Sequence, residues 1–407
     1  MKRTVLCALA ITGVLACDHP TQPTAPSVTP TALATLTRGG FEVTNLGTLG
    51  GSFSVAFTIN ERGEVVGFAD LPSGKQRAFL WTPSRGMRSL GTLGGSNSFG
   101  GYINDQGDVV GASEVRRGST VSKAFLWTKA GGMRSLGTLG GRNSFAGSIN
   151  NRREVTGNAD LPNGNFEAFL WSPGRGMRSL GTLGGANSLT SDINDATQVV
   201  GTSEVRPGSG AFRAFLWTER RGMEDLGTLG GLNSMGVGIS QTGVVIGSSE
   251  TASGTVEAFI WTRGGGMRSL GSLGGSFAEA HYINTHRRVV GTSLVANDRR
   301  QLPFLWTPED GIRRLPTLGG DFGDAWGVNE FGQIAGSTNL VVGGFVRATL
   351  WTPTTGPLAA ADPDAALEAA GAEVDGRATM SAVCALVARW DRRPAYAGSR
   401  SGSCPAH

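Results

Sequence analysis

The sequence predicts an all-β protein, a seven-bladed β-propeller built from repeats of about 45 residues with four strands each. Glycine contributes 64 of the 407 residues. That share is unsuited to helices, because each glycine in a helix interior costs about 1 kcal/mol relative to alanine. Three short motifs recur seven times in a fixed order, at spacings of 44 to 46 residues. This is the period expected of propeller blades.

The N-terminal segment, residues 1–16, has the pattern of a lipoprotein-type signal peptide. It begins with two basic residues, and its apolar run from Val5 to Leu15 is too short to span a membrane. Cys17 follows Val-Leu-Ala, which resembles the lipobox of bacterial lipoproteins, whose cysteine is acylated. Ordinary cleavage that leaves a free cysteine is the alternative. We therefore expect an exported protein, either a cell-envelope lipoprotein or an extracellular one.

Residues 17–40 form a Pro/Thr-rich tether without an apolar pattern. Removal of the signal peptide lowers the net charge from +4 to +2, which argues against a nucleic-acid partner. Cys384 and Cys404 would remain as a candidate disulfide in an oxidising compartment. The cysteines lack metal-ligand spacing, so no metal site is expected among them.

The three motifs define a propeller domain at residues 41–356. The first motif, Leu-Gly-Thr-Leu-Gly-Gly or a near variant, begins at Leu46, Leu90, Leu136, Leu180, Leu226, Leu270 and Leu315. The second, Ala-Phe-Leu-Trp or a variant, ends at Trp81, Trp127, Trp171, Trp217, Trp261, Trp306 and Trp351. The third, Ile-Asn or a variant, ends at Asn60, Asn104, Asn150, Asn194, Ser240, Asn284 and Asn329.

Each full unit contains four strand-like runs. In the first unit they are Ser54–Ile59, Glu64–Ala69, Arg77–Thr82 and Met87–Leu90. The chain also begins with an unmatched run, Phe41–Leu46, whereas the seventh unit lacks its fourth strand. We expect Phe41–Leu46 to complete the last blade and close the ring, which removes exposed sheet edges. Blades that begin with the Met-containing strand would need no such exchange.

These motifs resemble the HAF-repeat family, described as probable bacterial extracellular repeat proteins. The resemblance covers roughly residues 41–352, because Ala-Phe-Leu-Trp, Gly-Met, Leu-Gly-Thr-Leu-Gly-Gly, Ile-Asn and Val-Val-Gly recur in the family's order. The histidine that gives the family the first letter of its name is missing, since Arg, Lys or Glu precedes Ala-Phe in units one to five. Membership implies export and a repeat fold, but no established reaction.

Chain direction separates two ends of each blade. The Asn-x-x-Gly and Gly-Met turns lie at one end, which we call the turn end. The length-variable loops and the Gly-Gly connections lie at the other, which we call the loop end. In propellers the loop end commonly marks the ligand face.

Five units carry an acid at the loop end: Asp70, Glu114, Asp160, Glu204 and Glu250. A ring of carboxylates suits a basic partner or Ca²⁺, and Ca²⁺ is the one cofactor that the sequence suggests. Alternatively, each acid opens a solvated turn.

At the turn end, an arginine recurs in the fourth strand. The set is Arg88, Arg134, Arg178, Arg268 and Arg313, with Glu224 at the same position in unit four. Arginine pairs well with carboxylate or sulfate, so this set would suit an anionic polysaccharide. The other interpretation is a solvent-facing residue that recurs because the unit recurs.

One position varies inside the fixed frame, two residues before the isoleucine of Ile-Asn. It carries Phe57, Gly101, Gly147, Ser191, Val237, His281 and Trp326, and the next position adds Tyr102, Asp192 and Tyr282. Aromatic residues beside a channel would stack on sugars, or they fill a contact between blades. His281 and Tyr282 are the candidates for a base and an acid, as in a lyase, although no nucleophile motif accompanies them.

The repeat pattern stops before residues 357–407, an Ala-rich tail that suits a short helical pair or a disordered segment. The leading interpretation is an exported, lipid-anchored, non-catalytic scaffold. It would act as a monomer, bind a polysaccharide or a cell-surface protein, and meet the membrane only through its lipid. The alternatives are a carbohydrate-active lyase or hydrolase that uses the channel, and a purely structural envelope repeat.

Overall fold

The computed structural model describes residues 35–38 and 40–354, and regular structure in these ranges is almost entirely β-strand. The strands form seven antiparallel four-stranded blades, which confirms the predicted fold class. Blades 5 and 6 touch through one parallel pair, Val256 with Phe277. A 3₁₀ helix, Ala296–Asp298, lies in a loop of blade 6. Within the described ranges, no helix has the length and apolar character needed to cross a membrane.

The first four blades share the same strand lengths. Blade 1 comprises β3 (Ser54–Ile59), β4 (Val65–Asp70), β5 (Gln76–Thr82) and β6 (Gly86–Ser89). Blade 2 comprises β7 (Ser98–Ile103), β8 (Val109–Glu114), β9 (Ser122–Thr128) and β10 (Gly132–Ser135). Blade 3 comprises β11 (Ser144–Ile149), β12 (Val155–Asp160), β13 (Phe166–Ser172) and β14 (Gly176–Ser179). Blade 4 comprises β15 (Ser188–Ile193), β16 (Val199–Glu204), β17 (Phe212–Thr218) and β18 (Gly222–Asp225).

The last three blades complete the ring. Blade 5 comprises β19 (Gly230–Ile239), β20 (Val245–Thr251), β21 (Val256–Thr262) and β22 (Gly266–Gly271). Blade 6 comprises β23 (Gly274–Ile283), β24 (Val289–Val295), β25 (Gln301–Thr307) and β26 (Gly311–Arg314). Blade 7 comprises β27 (Gly323–Val328), β28 (Ile334–Asn339), β29 (Val346–Pro353) and β2 (Phe41–Asn45), with β1 (Thr35–Arg38) outside it.

The ring closes through β2, the N-terminal strand of the propeller, which completes blade 7. Strand β2 pairs antiparallel with β29, from Phe41 opposite Pro353 to Asn45 opposite Thr349. On the channel side, β3 contacts both β7 and β27, so the innermost strands form a continuous circle. The predicted closure is thus confirmed, and the predicted strands of unit one agree with β3 to β6 to within a residue at each boundary.

The core lies between blades. Strand β5 buries all four side chains of Ala-Phe-Leu-Trp, because one of its faces meets blade 7 and the other meets blade 2. Phe79 and its counterparts are completely buried: Phe125, Phe169, Phe215, Phe259 and Phe304. In blade 7 the corresponding residue is Thr349, and Trp351 is fully buried there. Each blade is therefore stabilised by both neighbours, which is why the run is apolar at every position.

Asparagine side chains join successive blades at the turn end. Each asparagine of the Ile-Asn motif donates from Nδ2 to the backbone oxygen of the corresponding residue in the next blade. The donor–acceptor pairs are Asn60–Asn104, Asn104–Asn150, Asn150–Asn194, Asn194–Ser240, Asn284–Asn329 and Asn329–Asn60, at 3.0–3.2 Å. Ser240 of blade 5 has no amide to continue the series. We call this set the asparagine ring.

Candidate functional site

Seven β-bulges line the central channel, one on each innermost strand. In β3, Ala56 pairs with Gly67 and Thr58 pairs with Val66, so Phe57 has no partner on β4. The same register shift recurs in the other six blades. The unpaired residues are Phe57, Gly101, Gly147, Ser191, Val237, His281 and Trp326. The position that varies between the repeats is therefore the bulge residue itself.

The glycine of the repeated Val-Val-Gly motif allows the two inner strands to approach at the bulge. A Cβ atom on Gly67 would lie 1.9 Å from the carbonyl oxygen of Val55, and one on Gly336 would lie 2.1 Å from that of Asp324. Neither distance is compatible with a side chain, so these positions require glycine. The frame of the bulge is thus fixed by sequence, whereas its own side chain is free to differ.

A pocket occupies the channel beside the bulges. Six bulge residues contribute to its wall: Phe57, Gly147, Ser191, Val237, His281 and Trp326. Asn158 and Thr202 add an amide and a hydroxyl from second strands, and Leu189 and Met235 add apolar groups. Trp326 keeps part of its surface accessible to solvent, as do Phe57, Ser191 and Val237. The pocket thus has an aromatic side at blades 6, 7 and 1 and a mixed polar side at blades 3 to 5.

The aromatic side is a contiguous cluster of rings that contains one stacked pair. The His281 ring lies parallel to Trp326, with centroids 3.9 Å apart and planes 7° from parallel. Phe57 meets Trp326 edge-on at 5.4 Å, and behind it lies Phe68 at 5.8 Å. Because His281 covers one face of the indole and Phe57 meets it edge-on, the orientation of Trp326 is fixed before any ligand arrives.

Charged groups lie behind the stack. His281 and Glu279 are each 1% exposed, and Nε2 of His281 is 3.7 Å from Oε2 of Glu279, beyond hydrogen-bond distance. The other ring nitrogen, Nδ1, lies 3.0 Å from the carbonyl oxygen of Ala325. Burial opposes protonation, but the carboxylates of Glu279 and Asp324 outweigh it and raise the pKa of His281. Burial raises the pKa of Asp324.

Two tyrosines bound the pocket toward the turn end. Tyr102 of blade 2 and Tyr282 of blade 6 meet across the channel with ring centroids 6.5 Å apart. Each follows its bulge by one residue and so lies nearer the turn end. Burial, reinforced by the Asp192 carboxylate, raises the pKa of both phenols. Asp192 accepts hydrogen bonds from Ser148 Oγ and the Ile239 amide, and burial raises the pKa of Asp192 to about 6.

The geometry does not favour the predicted base and acid pair. The two residues are neighbours on β23, but their rings belong to different contacts, since Tyr282 faces Tyr102 across the channel. His281 is stacked against Trp326 and is almost fully buried. Neither ring nitrogen of His281 is exposed, because Nε2 is buried and Nδ1 lies against the Ala325 oxygen.

Four of the five loop-end acids bind backbone amides within their own blades, whereas Asp70 is the half-buried last residue of β4. Glu114 accepts from the amides of Ser96 and Asn97 at 2.8 and 3.1 Å, and from the Asn97 side chain at 2.8 Å. Glu204, Glu250 and Asp160 accept in the same way from the start of their own blade's first strand. Glu114 and Glu204 are buried, so their interpretation as solvated turn residues is wrong. The binding of these oxygens to backbone amides also disfavours a Ca²⁺ ring.

The turn-end arginines contact the next blade. The guanidinium groups of Arg88, Arg134 and Arg178 lie 5.2–5.7 Å from the ring centroids of Trp127, Trp171 and Trp217. Arg178 also pairs with Glu219, and Arg313 pairs with Asp310 of its own blade at 3.6 Å. Arg268 is exposed. Three members of the set therefore join blades, so a purely solvent-facing interpretation is wrong for them.

Glu224 replaces arginine because the neighbouring charge is reversed. In blade 4, Glu224 binds Arg263 of blade 5 at 2.9 Å. In the preceding pair of blades, Arg178 of blade 3 binds Glu219 of blade 4. Hydrogen bonding from Arg263 lowers the pKa of Glu224. The ion pair between the fourth strand of one blade and the turn of the next is thus made with the acid on either side.

No family model matches this chain, and no curated protein sequence does. Several solved structures resemble it in fold. The TolB protein of Acinetobacter baumannii is 14% identical, with a TM-score of 0.47, over 72% of this chain and 67% of TolB. The β-propeller domain of the Trilobed protease of Pyrococcus furiosus is 10% identical, with a TM-score of 0.49, over 76% of this chain and 100% of that domain.

A gluconolactonase of Xanthomonas campestris is 9% identical, with a TM-score of 0.42, over 82% of this chain and 99% of the enzyme. These likenesses concern the fold alone. The chemistry of the site has to be argued from its own residues.

Some expected features lie outside the described residues: Cys17, the candidate disulfide of Cys384 and Cys404, and the tail at 357–407. Other site residues were not predicted, namely Glu279, Asp324 and Asn158. A signal for the two acids exists. Two residues before the bulge, five units carry an apolar residue, whereas units six and seven carry Glu279 and Asp324.

Proposed function

We propose that this protein is an exported, lipid-anchored, non-catalytic propeller whose central pocket binds the end of a carbohydrate chain, and that it belongs with the HAF-repeat proteins. The observation that carries the proposal is the set of seven bulges. Six of the seven bulge residues, at a position that differs between repeats, surround a single pocket, whereas three of the repeated arginines contact neighbouring blades and four of the repeated acids bind amides within their blades.

A sugar fits the lining by its chemistry. A pyranose presents an apolar face with C–H groups and a rim of hydroxyls, and Trp326 and Phe57 offer apolar rings beside it. Asn158, Thr202 and Ser191 offer an amide and hydroxyls on the opposite side. The tyrosine pair bounds the channel toward the turn end, so a chain end is favoured over a polymer threaded through the ring.

Binding should be measured with a panel of neutral and acidic polysaccharides and their oligosaccharides, at low and high salt, with polymer length recorded. We expect retention without shortening, and little dependence on salt. Trp326→Ala should weaken binding at least tenfold by removing the stacking surface, whereas Trp326→Phe should retain most of it.

A matched pair of asparagines tests the polar side. Asn158→Ala should weaken binding, whereas Asn163→Ala, in an exposed loop of the same blade, should leave it unchanged. Shortened polymer would overturn the non-catalytic proposal and direct mutation to His281. Absence of binding to every carbohydrate would favour a protein partner or a structural role.

A further inference from the structure

The loop between β28 and β29 of blade 7 presents apolar side chains to solvent. Val341, Val342 and Phe345 are 62%, 42% and 53% exposed. A backbone hydrogen bond from the Gly344 amide to the Val341 oxygen closes the turn at 2.8 Å. We call these three side chains the blade 7 apolar loop. The corresponding loops of blades 1 and 3, Leu-Pro-Ser-Gly-Lys and Leu-Pro-Asn-Gly-Asn, are mostly polar.

Basic residues flank this loop on the neighbouring blades. Lys75 in the variable loop of blade 1 and Arg299 in that of blade 6 are both exposed. The nearby acids are hydrogen bonded within the protein: Asp298 accepts from the amide and hydroxyl of Ser276, and Asp321 accepts from the side chain of Asn339. The edge formed by blades 6, 7 and 1 thus carries an apolar tip with the exposed cations of Lys75 and Arg299 on either side and the Asp298 and Asp321 carboxylates engaged nearby.

The N-terminal strands join the propeller on the same blade. Strand β29 runs from the apolar loop toward the turn end, β2 runs back, and β1 is antiparallel to β2. Thr35, the first residue of β1, pairs with Thr44, which in turn pairs with Leu350 in the middle of β29. The chain before Thr35 would therefore enter the propeller at the outer edge of the blade that carries Val341, Val342 and Phe345.

We propose that the blade 7 apolar loop inserts into an anionic lipid bilayer, with Lys75 and Arg299 against its headgroups. The proposal rests on the proposed membrane attachment of this protein. A surface loop gains by transferring its valines and phenylalanine from water to the acyl boundary, and cationic side chains gain near an anionic surface. Contact through this edge leaves blades 3 to 5, which form the polar side of the pocket, away from the bilayer.

The test uses the full chain made without its acyl group by Cys17→Ser, so that only the propeller and its own segments contribute. Co-sedimentation with vesicles of phosphatidylcholine containing phosphatidylglycerol should exceed that with phosphatidylcholine alone. Replacing Val341, Val342 and Phe345 together by Ser should lower the partition coefficient about tenfold or more. The control is Phe331→Ser, because Phe331 is 70% exposed at the opposite, turn end.

Three results would overturn the proposal: no sedimentation of the unacylated chain, equal sedimentation of the Ser variant and wild type, or a concentration-dependent dimer that the Ser variant abolishes. The last result would assign the loop to a second copy of the chain. Equal binding to both vesicle types would remove the role of Lys75 and Arg299. Carbohydrate binding measured on the same samples is independent, since Trp326 lies in the channel.

Discussion

The two ends of the propeller are held together differently. At the turn end, each asparagine of the ring donates across a blade boundary, so one kind of bond is repeated around the circle. At the loop end, the acids bind amides of their own blade, as Glu114 does with Ser96 and Asn97. The loop next to the acid varies in length, whereas the Asn turns do not. Blades are also joined at the loop end, because Asn97 Oδ1 accepts from the Gln76 amide of blade 1 at 3.0 Å. Length variation is thus found beside the acids, whose bonds lie within one blade, and not at the asparagine ring.

The strongest test of this difference is Asn329→Ala. Asn329 is buried, donates to the Asn60 oxygen at the closure of the ring, and accepts from the Gln333 amide. Its loss leaves both backbone groups without that partner, and should cost about 2–4 kcal/mol in the free energy of unfolding measured by urea titration. Asn163→Ala at the loop end should cost under about 1 kcal/mol. Equal effects would contradict the contrast between the ends.

The next largest effect concerns a loop-end acid. Glu114→Gln keeps the shape but removes the charge that two backbone amides and Asn97 share, so unfolding should become easier by about 1–2 kcal/mol. Adding Ca²⁺ to the wild type should leave the Tm unchanged, because these oxygens already bind amides. A Ca²⁺-dependent rise in Tm that Glu114→Gln removes would restore the cation interpretation.

A stabilising substitution follows from the gap in the ring. Ser240→Asn retains an acceptor for the Val244 amide and adds an amide donor toward the backbone oxygen of Asn284. The variant should gain about 1 kcal/mol in urea titrations. The control is Thr242→Asn in the same turn, which adds an amide without the ring position and should give no gain.

The smallest effect tests the charge reversal between blades 4 and 5. Glu224→Arg places a cation against Arg263 and Arg221 and should cost about 0.5 kcal/mol, because the pair is partly exposed. The double variant Glu224→Arg, Arg263→Glu should recover most of this loss and so match the Arg178–Glu219 junction. A double variant no more stable than the single one would show that the two junctions are not equivalent.

Much of the fold could be predicted because each unit repeats the same short sequence motifs, and each motif favours one local structure. The apolar Ala-Phe-Leu-Trp run requires cover on both faces, and the Asn-x-x-Gly sequence closes a tight turn. A strand-like segment at Phe41–Leu46, together with a missing fourth strand in the last unit, predicted the closure that β2 and β29 make. These features depend on residues close in sequence or one period apart.

The roles of the repeated charges could not be predicted in the same way. Whether Arg88 faces solvent or Trp127 depends on the position of the neighbouring blade, and Glu224 looked like an exception until Arg263 was placed opposite it. The bulge was also missed, because one extra residue on each first strand leaves the motif spacing unchanged. The variable position was identified from the sequence, but the stack of His281 on Trp326 required the ring geometry.

The closure by β2 sets an order of assembly. Phe41–Asn45 leaves the ribosome before any other strand of blades 1 to 7, yet its partner β29 is among the last segments to be made. This contact joins residues about 300 positions apart, so its formation carries the largest loop-closure entropy in the protein. Strand β2 is therefore the first blade strand to be made and the last to join its blade, and until then the edge that β29 will cover needs protection from other chains.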